Sequence, residues 1–467
     1  MEKAEKKKWH FKMPHNYVIL VSIMLLVLIL THIVPAGEYD RVEDPVSGKM
    51  VVVADSYHRV DVKAPGLFDL FKSLEQGYVD AADIMFLIIF AYGFVYVLTK
   101  NGTMDAALGT MVKKIGNNVQ LLIPVTMLIL GFLASMMGIY EEVYGLFPIF
   151  VGIFMALGYD ALVGGATIFL GVSIGYAAGT TNPYNVAIAQ KVAGVEMYSG
   201  MWMRWIVFAV FETVTILYLM RYARKVKADP SKSLLVGVDM EGIERKSMAD
   251  LKNTKMNVRQ KLCLVLFFGL MGFLLYAVLK LNWYVDEISA LFLMGMVLAG
   301  IISGYSATEI CKTFIESTKS MVGSMLVVGF TRGITILMRQ GYITDTIVYG
   351  LVNLLSNASK FVAAYGMLLI QNVVKFFING SSSQAIVTMP IMAPAAELVG
   401  LSKQIAIMAY QFGNGFADFF WPTGCALCCG LMGVPLNKWY KFATPLFVIF
   451  IVLEILFMTL AVMVGYC

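Results

Sequence analysis

Charge is scarce in this sequence. Only 14% of its 467 residues are Asp, Glu, Lys or Arg, against about a quarter in a soluble domain, which leaves too little charge for a hydrated surface. Histidine is scarcer still. His10, His15, His32 and His58 all precede the bulk of the chain, so a histidine proton relay or catalytic cluster is excluded there. The six cysteines are scattered and form no disulfide framework. Cys425-Ala-Leu-Cys428-Cys429 has a metal-like or redox-like spacing, but reads as small apolar packing beside a helix break. No GxxxxGK[ST] loop is present to cradle a nucleotide phosphate.

Apolar residues dominate instead. They make up 59% of the chain, with a mean hydropathy of +0.74. Apolar runs near 20 residues recur from end to end, which points to an all-α integral membrane protein. The net charge of +5 does not indicate nucleic acid, but its distribution orients the chain. Residues 1–16 carry five Lys against two Glu, residues 35–83 five basic against ten acidic residues, and residues 221–261 eleven basic against five acidic. The first and third segments are therefore expected in the cytoplasm and the second outside. Tyr17–Val34 is too long for a cleaved signal and reads as an anchor that stays. Leu67–Tyr78 reads as an amphipathic interfacial helix. The spans expected are 17–34, 84–99, 161–191, 203–220, 262–280, 288–303, 321–338, 403–434 and 443–464.

Two further segments read as re-entrant hairpins. In 361–400 an apolar arm runs into a polar tip, Asn379-Gly380-Ser381-Ser382-Ser383, and a second arm stops at Gly400. The next apolar run, 403–434, breaks at Trp421-Pro422-Thr423-Gly424. The first half repeats the design: hairpin 119–158 with the tip Gly138-Ile139-Tyr140-Glu141-Glu142, then 161–191 with a break at Thr180-Thr181-Asn182-Pro183. A shift of 242 overlays Gly138, Pro148, Gly158 and Gly171 on Gly380, Pro390, Gly400 and Gly413. A shift of 240 overlays Gly93 and Asp105 on Gly333 and Asp345, and one of 239 overlays Pro183 and Gly194 on Pro422 and Gly433. The chain thus divides into repeat 1 (17–220), a basic linker (221–261), an extra helix (262–280) and repeat 2 (288–465). The extra helix reverses parity, so the repeats are expected to be inverted. That is a hallmark of secondary transporters, which hold solute where broken helices meet near mid-membrane.

The candidate site follows from those breaks. Thr180, Thr181, Asn182, Asn185, Asn379, Ser381, Ser382, Ser383, Asn414 and Thr423 offer hydroxyls and amides. Helix N-termini at the tips attract carboxylates, and freed backbone carbonyls suit Na⁺. The competing reading is that Ser and Thr merely satisfy helix backbones. Glu141 and Glu142 are the sharpest signal, because a carboxylate at membrane depth needs a partner or water. Asp418 is a further acid, Arg332 a cation within an apolar span, and Trp421 or Tyr140 a surface for an apolar stem. Lys375 reads as a lysine snorkelling outward from the hairpin base. No cofactor is expected, and any coupling would use Na⁺ or H⁺.

These segments resemble the ion-transporter superfamily, and more narrowly the YfcC-like group placed with anaerobic C4-dicarboxylate carriers and ArcD-type arginine/ornithine antiporters. The resemblance is carried by Gly138–Glu142 with Pro148, Gly158-Tyr159-Asp160, Asn182–Asn185, Asn379–Ser383 and Gly413–Gly424, and runs from Tyr17 to Val464. It implies a homodimer in the lipid of the bacterial inner membrane, with a hairpin-bearing domain that slides as an elevator. Sodium-dicarboxylate relatives carry Ser-Asn-Thr signatures at the tips. Here one tip has Glu141-Glu142 and the other three serines. A small basic amino acid fits those charges directly, and arginine/ornithine exchange needs no coupling ion. A Na⁺- or H⁺-coupled C4-dicarboxylate carrier is the alternative, with bound cation cancelling the glutamates. A membrane enzyme would need a His cluster or a Ser-Lys pair that this chain does not display.

Overall fold

The computed structural model describes residues 16–43, 50–53, 56–104, 106, 107, 110, 120–238, 256–281, 283, 285–353, 355, 358–378 and 380–467. The basic segment 1–15, the middle of the linker (239–255), Asp105 and Asn379 lie outside the described residues. Almost everything described is helix, in a multi-pass membrane protein with five helices individually long and apolar enough to span. The exception is the loop after the first helix, Asn16–Ile33, where Gly37–Glu38 pairs with His58–Arg59 and Arg41–Glu43 with Met50–Val52 as two short antiparallel ribbons.

Side-chain caps open four of the helices, those starting after Asp160, Asn257, Ser306 and Ser402. Asp160 accepts from Val163 N at 2.9 Å to open Ala161–Ala177, and Asn257 with Gln260 closes a capping box on Val258–Lys280. The expected span 321–338 is the second half of a longer helix, Ala307–Gln340. Its first half carries Glu309, Lys312, Glu316 and Lys319, which hid it from a hydropathy reading. The start signal was nonetheless present, since Ser306 and Glu309 form a capping box. A short helix, Thr344–Asn353, was not anticipated.

Both hairpins are helix pairs. The first has arms Leu122–Met137 and Phe147–Ala156, joined by a tight 3₁₀ turn over Glu141–Leu146. The second has arms Lys360–Phe377 and Ser381–Leu398. After each comes a broken helix: Ala161–Ala177 then Val186–Val192, and Lys403–Gln411 then Pro422–Met432 with a wide π turn at Phe412–Phe416. Hairpins, broken helices, Met201–Ala228 and Leu436–Val464 share one apolar core. The helices before the first hairpin, Val258–Lys280, Val285–Ser303 and Ala307–Gln340 build two smaller cores against it.

The smaller cores contain a reciprocal crossing. Helices of 14 and 19 residues, Leu67–Asp80 and Ala82–Lys100, join at Ala81. They match the 34-residue Ala307–Gln340 end to end at a shift of 240, and that helix bends by 46° between Gly323 and Met325. Contacts exchange under the same shift. Lys100 Nζ donates to Glu316 Oε2 at 2.6 Å, and at the matched positions Gln340 Nε2 donates to Gln76 Oε1 at 3.0 Å. Gly77 lies on Gly333, while Gly93 faces Ser317. Left-handed backbone recurs at matched positions too: φ is 83° at Gly158 and 73° at Gly400, 64° at Gly194 and 67° at Gly433, and 76° at Gly102 against 51° at Tyr342.

The crossing rests on bare backbone. A Cβ on Gly77 would stand 2.5 Å from Gly333 N and press on Gly329 O, neither of which is a side-chain end that can swing away. Gly329 and Gly333 are the small-xxx-small spacing of close membrane helix pairs. Gly77→Val is expected to lower the thermal midpoint in detergent by forcing the helices apart, at a cost of about 1–3 kcal/mol. Gly152→Ala, with nothing within 4 Å of its Cβ, is expected to leave the midpoint level or raise it slightly.

Candidate functional site

The two hairpin tips line one cavity. It lies between them, the broken helices and the middle of Ala307–Gln340, with a volume of about 280 Å³. Its wall includes Glu141, Glu142, Ser381, Ser382, Ser383, Asn414, Asp418, Thr423 and Arg332 from the residues expected, joined by Tyr140, Lys375, Ser173, Tyr176 and Tyr184. The volume suits one small solute, just under the usual drug-sized range of about 300–1,000 Å³.

Asp418 organises the charged side. It sits in the turn between the halves of the second broken helix, where its N–H donates to Gly415 O at 3.1 Å. Lys375 Nζ lies 2.8 Å from Asp418 Oδ1, and Tyr140 Oη donates to Asp418 Oδ2. One carboxylate therefore joins the first hairpin tip, the second hairpin arm and the broken helix. The expectation that Lys375 snorkels outward is wrong: its side chain is only 3% exposed. A lysine this deep needs an acid partner rather than a route to water, and the acid lies 43 positions away in sequence. Spacing along the arm carries no trace of that contact.

The tips differ chemically. At the first, Gly138 takes the left-handed turn that ends the arm, with φ 76°. Glu142 Oε2 then accepts from Tyr140 N at 2.8 Å, so Glu142 folds back onto its own helix start. The Glu141 carboxylate has no hydrogen-bond or ion-pair partner among the described residues, and it shares the cavity wall with Arg332. At the second tip the helix Ser381–Leu398 opens without a side-chain cap. Ser381 Oγ donates to Asn414 Oδ1 at 2.6 Å, and Ser382 Oγ to Tyr184 O at 3.0 Å. Ser383 is exposed to the cavity. One tip offers carboxylate, the other N–H groups and a hydroxyl.

A buried amide chain supports the serine tip. Asn414 Nδ2 donates to Gln384 Oε1 at 2.7 Å, Gln384 Nε2 to Gln371 Oε1 at 2.7 Å, and Thr388 Oγ1 to the same oxygen at 3.4 Å. Sequence reading passed over Gln371, an isolated amide within an apolar arm, and took Gln384 only as the end of the polar tip.

Five of the expected residues stand behind the wall instead of in it. Thr180 N donates to Ser135 O at 2.9 Å, Thr181 Oγ1 to Met136 O at 3.1 Å, and Asn182 Nδ2 to Ala134 O at 3.2 Å. Asn182 Oδ1 accepts from Tyr184 N and Asn185 N, and Asn185 Nδ2 donates to Tyr176 O at 3.1 Å. These four side chains close the first break against the first hairpin arm, because backbone interrupted at depth needs protein partners. At the first break, three of the carbonyls expected to be free for Na⁺ accept a hydrogen bond: Ala178 O from Ser135, Gly179 O from Gln411 and Thr180 O from Arg204. Trp421 turns away from the cavity, donating Nε1–H to Asn372 O at 3.1 Å and packing edge-on to Phe376. Arg332 lines the cavity as expected of a site cation, and its Nε lies 3.8 Å from Asp80 Oδ2.

Removing one member of a buried pair strands the other, at about 3–5 kcal/mol. Lys375→Met is expected to lower the thermal midpoint sharply, whereas Lys375→Met with Asp418→Leu recovers most of the loss. A double variant no better than the single one would show that the two side chains do not act as a pair.

Relatives fit this picture of a carrier. The family model "DcuC: C4-dicarboxylate anaerobic carrier" matches residues 13–463. An uncharacterized protein of Haemophilus influenzae is 31% identical, covering 95% of this chain and 96% of its own. The Escherichia coli protein named "Putative basic amino acid antiporter YfcC" is 28% identical, covering 100% of this chain and 99% of its own. Among solved structures, the Alcanivorax borkumensis YdaH transporter aligns over 97% of this chain and 99% of its own, at 15% identity and a TM-score of 0.43. Neisseria gonorrhoeae MtrF aligns over 96% of this chain and 95% of its own, at 18% identity and a TM-score of 0.44. The chain is a membrane transporter and belongs to the C4-dicarboxylate anaerobic carrier family.

Proposed function

We propose that the protein is a secondary transporter of amino acids in the bacterial inner membrane, with arginine/ornithine exchange as its reaction. One observation carries the reading. The cavity wall holds three carboxylates, Glu141, Glu142 and Asp418, against two cations, Arg332 and Lys375. Lys375 and Asp418 neutralise each other, which leaves two carboxylates facing one guanidinium. A basic amino acid, with two cationic groups and one carboxylate, is the complementary solute. Its carboxylate goes to the helix start at Ser381–Ser383, with Arg332 within reach, and its cations go to Glu141 and Glu142. Tyr140, not Trp421, flanks the stem.

The C4-dicarboxylate reading keeps specific support in the family description and in the second cation of the cavity wall, the buried Lys375. It requires a bound cation to offset the glutamate pair.

Inverted repeats form part of the proposal. Support comes from the reciprocal Lys100–Glu316 and Gln76–Gln340 contacts, which relate two antiparallel elements by a two-fold axis across them. That both tips line one cavity favours re-entrance over full crossing. The site lies where the hairpin-bearing core meets Ala82–Lys100 and Ala307–Gln340, as an elevator carried by a homodimeric scaffold requires.

Thermal shift of purified protein tests the substrate. Arginine and ornithine are expected to raise the midpoint, equivalent to about 2.7 kcal/mol at a hundredfold excess over Kd, and Glu141→Gln is expected to abolish the rise. Stabilisation by fumarate or succinate only with Na⁺, and none by arginine, would establish the dicarboxylate reading instead.

A further inference from the structure

A second space lies outside the cavity. Between Leu67–Asp80 and the last turns of Ala307–Gln340 runs an open groove of about 800 Å³. Its polar wall is Glu75, Gln76, Asp80, Arg339 and Gln340, and Ile336 is among its apolar residues. Tyr342, also in the wall, accepts from Gly37 N through its carbonyl at 2.9 Å, which places the groove on the side that carries residues 35–66.

Groove and cavity meet at one ion pair. Asp80 lines the groove, Arg332 lines the cavity, and their 3.8 Å contact is the boundary. Arg332, Ile336 and Arg339 fall at i, i+4 and i+7, so one helix face runs from cavity to groove, with the arginines about 10 Å apart along the axis. Glu75 and Arg339 are exposed and have no ion-pair partner among the described residues. Such charges in a membrane protein call for water. With Asp80 paired to Arg332, the groove carries one further charge of each sign, Glu75 and Arg339.

We propose that this groove is the entrance to the central cavity, a wet vestibule closed at its inner end by the Asp80–Arg332 pair, which admits solutes bearing both a carboxylate and a cation. The solute class rests on the amino-acid reading above, but the route does not. Both pair members are partly exposed, 50% for Asp80 and 38% for Arg332, so each side chain has room to swing without backbone movement.

Cysteine accessibility in the full-length protein in cells tests the route. Ile336→Cys marks the groove and Thr331→Cys the cavity wall, each treated with a small, cationic, membrane-impermeant thiosulfonate and read peptide by peptide by mass spectrometry. Ile336→Cys is expected to react from the side of residues 35–66, and Thr331→Cys from the same side but more slowly. Asp80→Asn or Arg332→Gln is expected to speed Thr331→Cys about two- to fivefold, the range an exposed ion pair commands, while leaving the Ile336→Cys rate unchanged as a check on folding. Reaction of Ile336→Cys only with a permeant reagent would overturn the proposal, since the groove would then face lipid or another protein. A Thr331→Cys rate unmoved in both variants would overturn the closure. Arginine is expected to slow Thr331→Cys. No slowing with the route intact would reject the amino-acid reading alone.

Discussion

Backbone that leaves the helical ladder inside a membrane protein must find partners other than water, and this chain leaves it repeatedly near one place. The first break is closed by Ser135, Thr180, Asn182 and Asn185, with Gln411 and Arg204 reaching in from other helices. The second hairpin is closed by the buried amide chain from Gln371 through Gln384 to Asn414. Each network commits polar side chains to structure, and what remains uncommitted defines the site. The side chains of Glu141 and Ser383 line the cavity with no hydrogen bond or ion pair to the protein among the described residues.

Asp418 connects this framework to function. Its two oxygens serve different elements, Lys375 on the second hairpin and Tyr140 on the first. A carboxylate this enclosed is held only while both donors are present. Any rearrangement of either tip therefore registers at Asp418, in the wall of the solute cavity. The opposite character of the tips gives the cavity polarity, with carboxylate at one end and helix N–H groups with a hydroxyl at the other. That polarity is what the proposed solute, carrying both signs of charge, would complement.

The remaining helices supply a surface against which the hairpin-bearing core packs. Their reciprocal glycine crossing brings Leu67–Asp80 and the end of Ala307–Gln340 to backbone contact, and places Asp80 beside Arg332. Cavity and groove are thus separated by a single exposed ion pair, so closure here costs little to reverse.

Residue types alone determined a great deal. Apolar runs, basic and acidic loops, two polar tips and two helix breaks were legible because each is local: hydropathy over about 20 residues, or a Gly, Pro or Glu where an apolar helix would not tolerate one. Glu141, Glu142, Ser381–Ser383 and Asp418 stood out for that reason, and all line the cavity. The first half of Ala307–Gln340 was missed because its charges outweigh its period, though its capping box was readable. Tertiary structure alone decided which polar groups were left over. Thr180, Asn182 and Trp421 look like site residues in the chain, yet face backbone carbonyls. Lys375 looks like an anchor at the hairpin base, yet pairs with an acid 43 positions on. A hydrogen bond or ion pair between distant segments leaves no periodic mark in either one. Only the packing of the hairpins against the breaks decided which polar side chains bond within the fold and which line the cavity.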